Sequence, residues 1–203
     1  MLSSVYEKGA VYGMKIAYVM FDGMTTLDMA GVHEVLPWML VLGAKPDLSW
    51  DFCSNKDQIA DDRGLKFKID HVWPDLSRYD MVFVTGGMPT RQLRHDAEFV
   101  SWLKTAREDA YKVSVCTGSL LLGAAGFLQG KRATTNPSAY DLLAPYCAEV
   151  VRARCVTDGN VFTGGAASTS VEVGLRLVEE LTDAAFARQV GQKIDCPYGA
   201  PKL

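Results

Sequence analysis

Cys116 is the residue whose sequence context best fits nucleophilic chemistry. It ends an apolar, strand-like run over residues 112–116, and a short turn at Thr117-Gly118 leads from it into an apolar helix candidate. A sharp strand-turn-helix elbow lifts one side chain above a sheet, and the start of the next helix supplies partial positive charge and free N–H groups. Both features predict a lowered pKa for the Cys116 thiol. The alternative is a buried, inert cysteine.

The inert role is the prediction for the other four cysteines, which lie in strand-like runs or at loop ends: Cys53, Cys147, Cys155 and Cys196.

Asp28 and the Gly86-Gly87 pair follow two other strand-like runs and could complete a site around Cys116. A carboxyl group beside the thiol could hydrogen-bond the thiolate or move a proton. Two glycines let the backbone approach a ligand and direct N–H groups at a developing oxyanion. The alternatives are a helix cap or first-turn acid for Asp28 and an ordinary tight turn for the glycines.

Strand-like runs alternate with helix candidates along the chain. The strands are predicted over residues 15–21, 48–53, 81–84 and 112–116, with shorter ones after them, and residues 65–69 predict an edge strand or hairpin arm. Helices are predicted over residues 25–42, 97–110, 119–125, 138–146, 168–181 and 184–193, and Pro37 should kink or end the first of these. This alternation predicts one α/β domain whose mostly parallel sheet is covered by helices on both faces. Ligands bind such sheets at the carboxyl ends of the strands, which is where the candidate residues lie.

Length and composition predict a single globular domain. The chain has 203 residues, and we assign residues 14–203 to the domain and residues 1–13 to a poorly ordered N-terminal extension.

With 21 Lys and Arg against 24 Asp and Glu, the net charge is −3, which argues against a nucleic-acid or membrane partner. No apolar run is long enough for a membrane span, and no signal peptide is recognisable. An odd number of cysteines without a C-x-x-C pair fits a cytoplasmic protein without disulfides. No metal, P-loop or dinucleotide motif is present.

The segment over residues 114–135, which contains Cys116-Thr117-Gly118, resembles the ThiJ/PfpI superfamily. Within that superfamily it is most similar to the isonitrile hydratase branch, which also has segments like Leu27-Asp28-Met29-Ala30-Gly31 and the Gly86-Gly87 turn. The likeness extends from about residue 15 to about residue 197.

The resemblance implies a flavodoxin-like three-layer sandwich with a nucleophile-elbow cysteine, assembled as a homodimer. It implies that Cys116, Asp28 and Thr117 are catalytic, and that Gly86, Gly87 and Asn136 bind the substrate or its oxyanion. The implied reaction converts a small-molecule isonitrile to an N-substituted formamide: the thiolate attacks the isonitrile carbon, a thioimidate forms, and water adds. No cofactor or metal is implied.

Two positions depart from relatives in the superfamily and separate the alternatives. PfpI-type peptidases have His where this chain has Thr117, so the Cys-His pair that would activate a peptidase nucleophile is missing. Many members have His where this chain has Asn136, which cannot accept a proton, and this disfavours a glyoxalase or deglycase. The other alternative is a non-catalytic redox or metabolite sensor that acts through reversible oxidation of Cys116.

Overall fold

The computed structural model describes residues 13–196, and a seven-stranded sheet forms its centre. The strands in chain order are β1 (Lys15–Val19), β2 (Ser49–Ser54), β3 (Gln58–Ala60), β4 (Lys66–Lys68), β5 (His71–Val72), β6 (Met81–Val84), β7 (Tyr111–Ser114), β8 (Arg132–Ala133), β9 (Glu149–Val150), β10 (Cys155–Asp158) and β11 (Val161–Gly164). The central order is β10-β11-β7-β6-β1-β2-β5, and every pairing is parallel except that between β10 and β11. A β3–β4 hairpin and a β8–β9 pair lie outside this sheet.

Two groups of helices pack around the sheet. The helices in chain order are α1 (Thr26–Val35), α2 (Trp38–Val41), α3 (Thr90–Leu93), α4 (Ala97–Leu103), α5 (Gly118–Ala124), α6 (Tyr140–Leu143), α7 (Ser170–Leu181) and α8 (Ala184–Lys193). Helix α7 packs against α1 and α8, whereas α5 packs against α3, α4 and α6. All residues of β6 and β11 are buried, as expected for strands covered on both faces. The predicted α/β sandwich with a mostly parallel sheet is therefore confirmed.

Three of the predicted helices are shorter than the sequence pattern indicated. The first is divided at Pro37, because α1 ends at Val35 and Pro37 precedes α2. The helix predicted over residues 97–110 ends at Leu103, and the carbonyl groups of the next loop turn inward onto the buried ammonium of Lys112. The helix predicted over residues 138–146 is the single turn α6 between two 3-10 turns.

Within residues 13–196, no helix is long and apolar enough to cross a membrane. The same part of the chain contains no group of three or more His, Cys, Asp or Glu side chains that could hold a metal ion. The extension predicted over residues 1–13 lies outside the described residues except for Gly13.

Candidate active site

The ends of three adjacent strands bring the candidate residues together. In the register of the sheet, Val84 of β6 lies between Val19 of β1 and Ser114 of β7. The chain therefore leaves all three strands at the same edge, in the segments that lead to Asp28, to Gly86 and to Cys116. The sequence predicted this convergence because parallel strands share one carboxyl edge.

Cys116 forms a strained elbow between β7 and α5. Its φ of +55° lies in the left-handed region, where a non-glycine residue persists only if its surroundings hold it. The hydroxyl of Thr135 donates to the Cys116 carbonyl at 2.9 Å, and the Ser119 hydroxyl donates to the same oxygen at 3.4 Å. At Gly118, an added Cβ would lie 2.3 Å from the Val84 carbonyl oxygen, so only glycine lets α5 begin this close to β6. The predicted elbow is present, and the residue is 9% exposed.

Asp28 is fully buried on α1, next to the elbow. Its Oδ2 accepts a hydrogen bond from the Gly86 N–H at 2.8 Å, whereas its Oδ1 has no partner among residues 13–196. A Cβ added at Gly86 would lie 2.6 Å both from Asp28 Oδ2 and from Cys116 Cβ. Glycine at position 86 therefore allows the carboxyl group and the cysteine to approach each other. Burial raises the pKa of Asp28 to about 7, so the carboxyl can give or accept a proton near neutral pH.

Thr117 fixes the second glycine of the turn. Its hydroxyl accepts from the Gly87 N–H at 3.1 Å and donates to the Gly87 carbonyl at 3.0 Å. The N–H groups of Gly86 and Gly87 thus both have partners inside the protein. These hydrogen bonds tie the glycine pair to Asp28 and Thr117, and its contact with a substrate oxyanion stays a prediction.

The predicted lowering of the Cys116 pKa is wrong. Burial of the thiol raises its pKa, and the nearby charge of Asp28 raises it further. Hydrogen bonds from Asn136 and from Thr117 act in the opposite direction without offsetting these two effects. The start of α5 favours a lower pKa for the thiol, but the enclosure of the sulfur by other segments cannot be read from the sequence.

Asn136 reaches the cysteine from the segment after β8. Its Nδ2 lies 3.4 Å from the Cys116 Sγ, and its Oδ1 accepts from the backbone N–H and the hydroxyl of Ser138. Asn136 is one of the predicted site residues, whereas Ser138 is not. The signal was available, because Asn-Pro-x is a usual start for a helical turn whose Asn side chain caps the N–H two residues later.

Comparison with known proteins extends over nearly the whole chain. The sequence model of the DJ-1/PfpI family matches residues 14–180 of this chain. An isonitrile hydratase from Pseudomonas putida is 34% identical over 195 residues, which cover 93% of this chain and 81% of that protein. Protein DJ-1 homolog A from Arabidopsis thaliana is 28% identical over 132 residues, which cover 63% of this chain but only 34% of that longer protein.

Solved structures show the same architecture. The structure of a ThiJ/PfpI family protein from Pseudomonas syringae superposes with a TM-score of 0.80 at 28% identity and covers all of this chain and 84% of that one. An oxidised DJ-1 from Toxoplasma gondii has a TM-score of 0.75 at 19% identity, over 92% of this chain and all of that one. The second likeness concerns the fold alone.

Proposed function

The chain belongs to the DJ-1/PfpI family, and from this membership and the geometry of its site we propose that it is a cysteine-dependent hydratase that adds water to an isonitrile or a related small electrophile. The observation that carries the proposal is the buried Asp28 carboxyl beside the Cys116 elbow, with a pKa of about 7. The similarity to an isonitrile hydratase over 93% of the chain supports the choice of substrate class.

The first half of the reaction joins the sulfur to the substrate. The Asp28 carboxylate accepts the thiol proton as the Cys116 Sγ attacks the terminal carbon of R–N≡C. The resulting carboxylic acid returns that proton to the same carbon, which gives the thioimidate R–N=CH–S–Cys. Because the pKa of Asp28 is near neutral, one carboxyl group can act first as base and then as acid.

The second half releases the product by hydrolysis. A water molecule adds its oxygen to the thioimidate carbon, and the nitrogen gains a proton. The adduct R–NH–CH(OH)–S–Cys then expels the thiolate, and the hydroxyl proton passes through Asp28 back to the sulfur, leaving R–NH–CHO. Water supplies all the added atoms, so the sequence of steps balances without an oxidant, a reductant or a metal ion.

Asn136 and Thr117 complete the site without moving protons themselves. The Asn136 amide donates toward the sulfur, where it can stabilise the thiolate that attacks and later departs. Thr117 holds the Gly86-Gly87 turn, and that turn holds Asp28. Asp28 is therefore the acid–base group of the mechanism.

Turnover of a small alkyl isonitrile to its formamide, followed by chromatography and mass spectrometry, tests the proposal. We expect Cys116→Ser to abolish turnover, since a hydroxyl is a far weaker nucleophile at neutral pH. Asp28→Asn should reduce turnover at least ~10²-fold, the lower end of what an acid–base group contributes. Cys147→Ser, at a half-buried cysteine elsewhere in the chain, is the matched control and should keep full activity.

Two results would contradict the hydratase. One is the absence of any formamide product from a folded protein. The other is stoichiometric oxidation of Cys116 by peroxide without turnover of isonitriles, which would favour the sensor alternative.

A further inference from the structure

A chain of hydrogen bonds leads from the surface to Cys116 through three side chains. The Arg91 guanidinium, on α3, donates to the Ser138 hydroxyl at 3.2 Å. That hydroxyl donates to Asn136 Oδ1 at 2.9 Å, and Asn136 Nδ2 lies 3.4 Å from the Cys116 sulfur. Arg91 is thus linked to the thiol through two side chains of the segment that follows β8.

The donor groups fix the direction of these hydrogen bonds. A guanidinium has only N–H donors, so the Ser138 oxygen accepts from Arg91 and its own proton is free to point at Asn136. The backbone N–H of Ser138 also donates to Asn136 Oδ1, at 3.0 Å. With two donors on its oxygen, the amide presents its NH2 group to the sulfur, and polarisation along the chain strengthens that donor.

Arg91 has no competing ionic partner among the described residues. Its other terminal nitrogen contacts the Met88 sulfur at 3.4 Å, and no carboxylate in residues 13–196 pairs with it. The neighbouring Arg94 differs, because its guanidinium donates to the backbone carbonyls of Arg91 and Leu142. Of these two arginines, only Arg91 is directed toward the site.

We propose that Arg91 acts through Ser138 as a positioning residue for Asn136, holding its amide NH2 group on the Cys116 sulfur and so favouring the thiolate. The effect of this role on catalysis rests on the proposed function, because a thiolate that attacks the substrate and later departs needs a hydrogen-bond donor beside the sulfur. The Gly86 and Gly87 N–H groups already have Asp28 and Thr117 as partners, so Asn136 and the backbone of Thr117 are the donors to the sulfur.

The test measures how fast iodoacetamide alkylates Cys116 in the native protein across neutral and alkaline pH, with peptide mass mapping. Arg91→Met should slow alkylation at neutral pH by about three- to tenfold, the effect of weakening one hydrogen bond to a charged group. Arg91→Lys should restore most of the rate, because an ammonium also only donates. Arg94→Met removes the same charge three residues away and should leave the rate unchanged.

The alkylation rates of Ser138 variants test whether Arg91 acts through Ser138. Ser138→Ala should slow alkylation to a similar extent, and the double variant Arg91→Met/Ser138→Ala should be no slower than the slower single variant. Additive effects in the double variant, an equal effect of Arg94→Met, or an unchanged rate in Arg91→Met would each overturn the proposal.

The alkylation readout does not depend on the substrate. If the variants behave as expected and no isonitrile is turned over, the proposed function fails and the positioning role stands. If isonitriles are turned over and Arg91→Met alkylates at the wild-type rate, the positioning role fails and the hydratase stands.

Discussion

The site disfavours the charged forms of both Cys116 and Asp28. Both side chains are buried, and burial raises the pKa of both groups. The Asp28 charge raises the pKa of the thiol further. At neutral pH, therefore, at least one of the two groups carries a proton. This arrangement suits a reaction in which a proton leaves the sulfur and reaches carbon within one catalytic cycle.

We expect Asp28→Asn to make Cys116 more reactive toward iodoacetamide while it removes turnover. Loss of the carboxylate lowers the pKa of the thiol, and one adjacent charge is enough to increase the neutral-pH alkylation rate about tenfold. Native alkylation over a range of pH, with peptide mapping, measures the effect.

The matched control for this prediction is Asp62→Asn. Asp62 is exposed, and its charge raises the pKa of Asp28. Asp62→Asn should therefore leave Asp28 more ionised, which keeps the pKa of the Cys116 thiol raised. Its labelling with iodoacetamide should not accelerate. A slower reaction in Asp28→Asn than in the wild type would show that the carboxylate assists the thiol toward electrophiles in general.

At the scale of elements, Gly86 follows β6 and Gly165 follows β11, but the two glycines have different surroundings in the structure. A Cβ at Gly86 would lie 2.6 Å from Asp28 Oδ2 and from Cys116 Cβ, whereas at Gly165 the nearest atom would be 3.5 Å away. The first glycine is thus required by a close approach within the site, and the second is not.

We expect Gly86→Ala to abolish turnover and to destabilise the protein by about 1–3 kcal/mol, as is typical of overpacking. Gly165→Ala adds the same methyl group at the carboxyl end of β11 and should change the free energy of unfolding by less than about 0.5 kcal/mol. Urea denaturation and isonitrile turnover of both variants check this. Equal effects of the two substitutions would contradict a specific role for Gly86.

Alternating elements were sufficient to predict the sheet, the elbow at Cys116 and the edge at which the candidate residues meet. Side-chain partners were not predictable in the same way. The bond from Arg91 to Ser138 joins residues 47 positions apart, and no local pattern marks it. The direction of the Cys116 pKa shift was also missed, because it depends on how the segments around Asp28 and Gly86 enclose the sulfur.

At the scale of the whole molecule, three exposed apolar side chains lie on segments that are hydrogen-bonded to one another near the site. Leu27 is 51% exposed, Leu65 56% and Met88 71%. The Asp62 N–H binds the Met24 carbonyl, and Met24 forms an isolated β-bridge with Gly87. We propose that this surface is covered in a homodimer, as the family resemblance implies.

Light scattering of the purified protein should therefore give the mass of a dimer. Leu65→Lys should shift the equilibrium toward monomer, because a buried unpaired charge opposes association. Val41→Lys, at an exposed apolar residue on α2, is the control and should leave the dimer intact. A monomeric wild-type protein would contradict the homodimer.

Asp28 also connects the chemistry of the site to the stability of the whole fold. Its pKa rises from 3.8 in a solvent-exposed carboxyl to about 7 in the folded protein. Between these two values the folded state holds a proton that the unfolded chain has lost, so the free energy of unfolding falls as the pH rises through this window. Above about pH 7 the ionised carboxyl is buried, and the full loss of stability is present.

Asp28→Asn should therefore be more stable than the wild type at alkaline pH, by about 2–4 kcal/mol, and similar to it near pH 4. The amide oxygen can still accept from the Gly86 N–H, so the turn at the strand end is retained. Urea denaturation of both proteins at the two pH values gives the difference, in which every titrating group that does not interact with Asp28 cancels. Asp57→Asn, at an exposed carboxylate, is the control and should track the wild type at both pH values. A variant that loses turnover and gains alkaline stability would show that the acid is retained for its chemistry at a cost to the fold. A variant less stable at both pH values would instead show that the carboxylate is needed for packing.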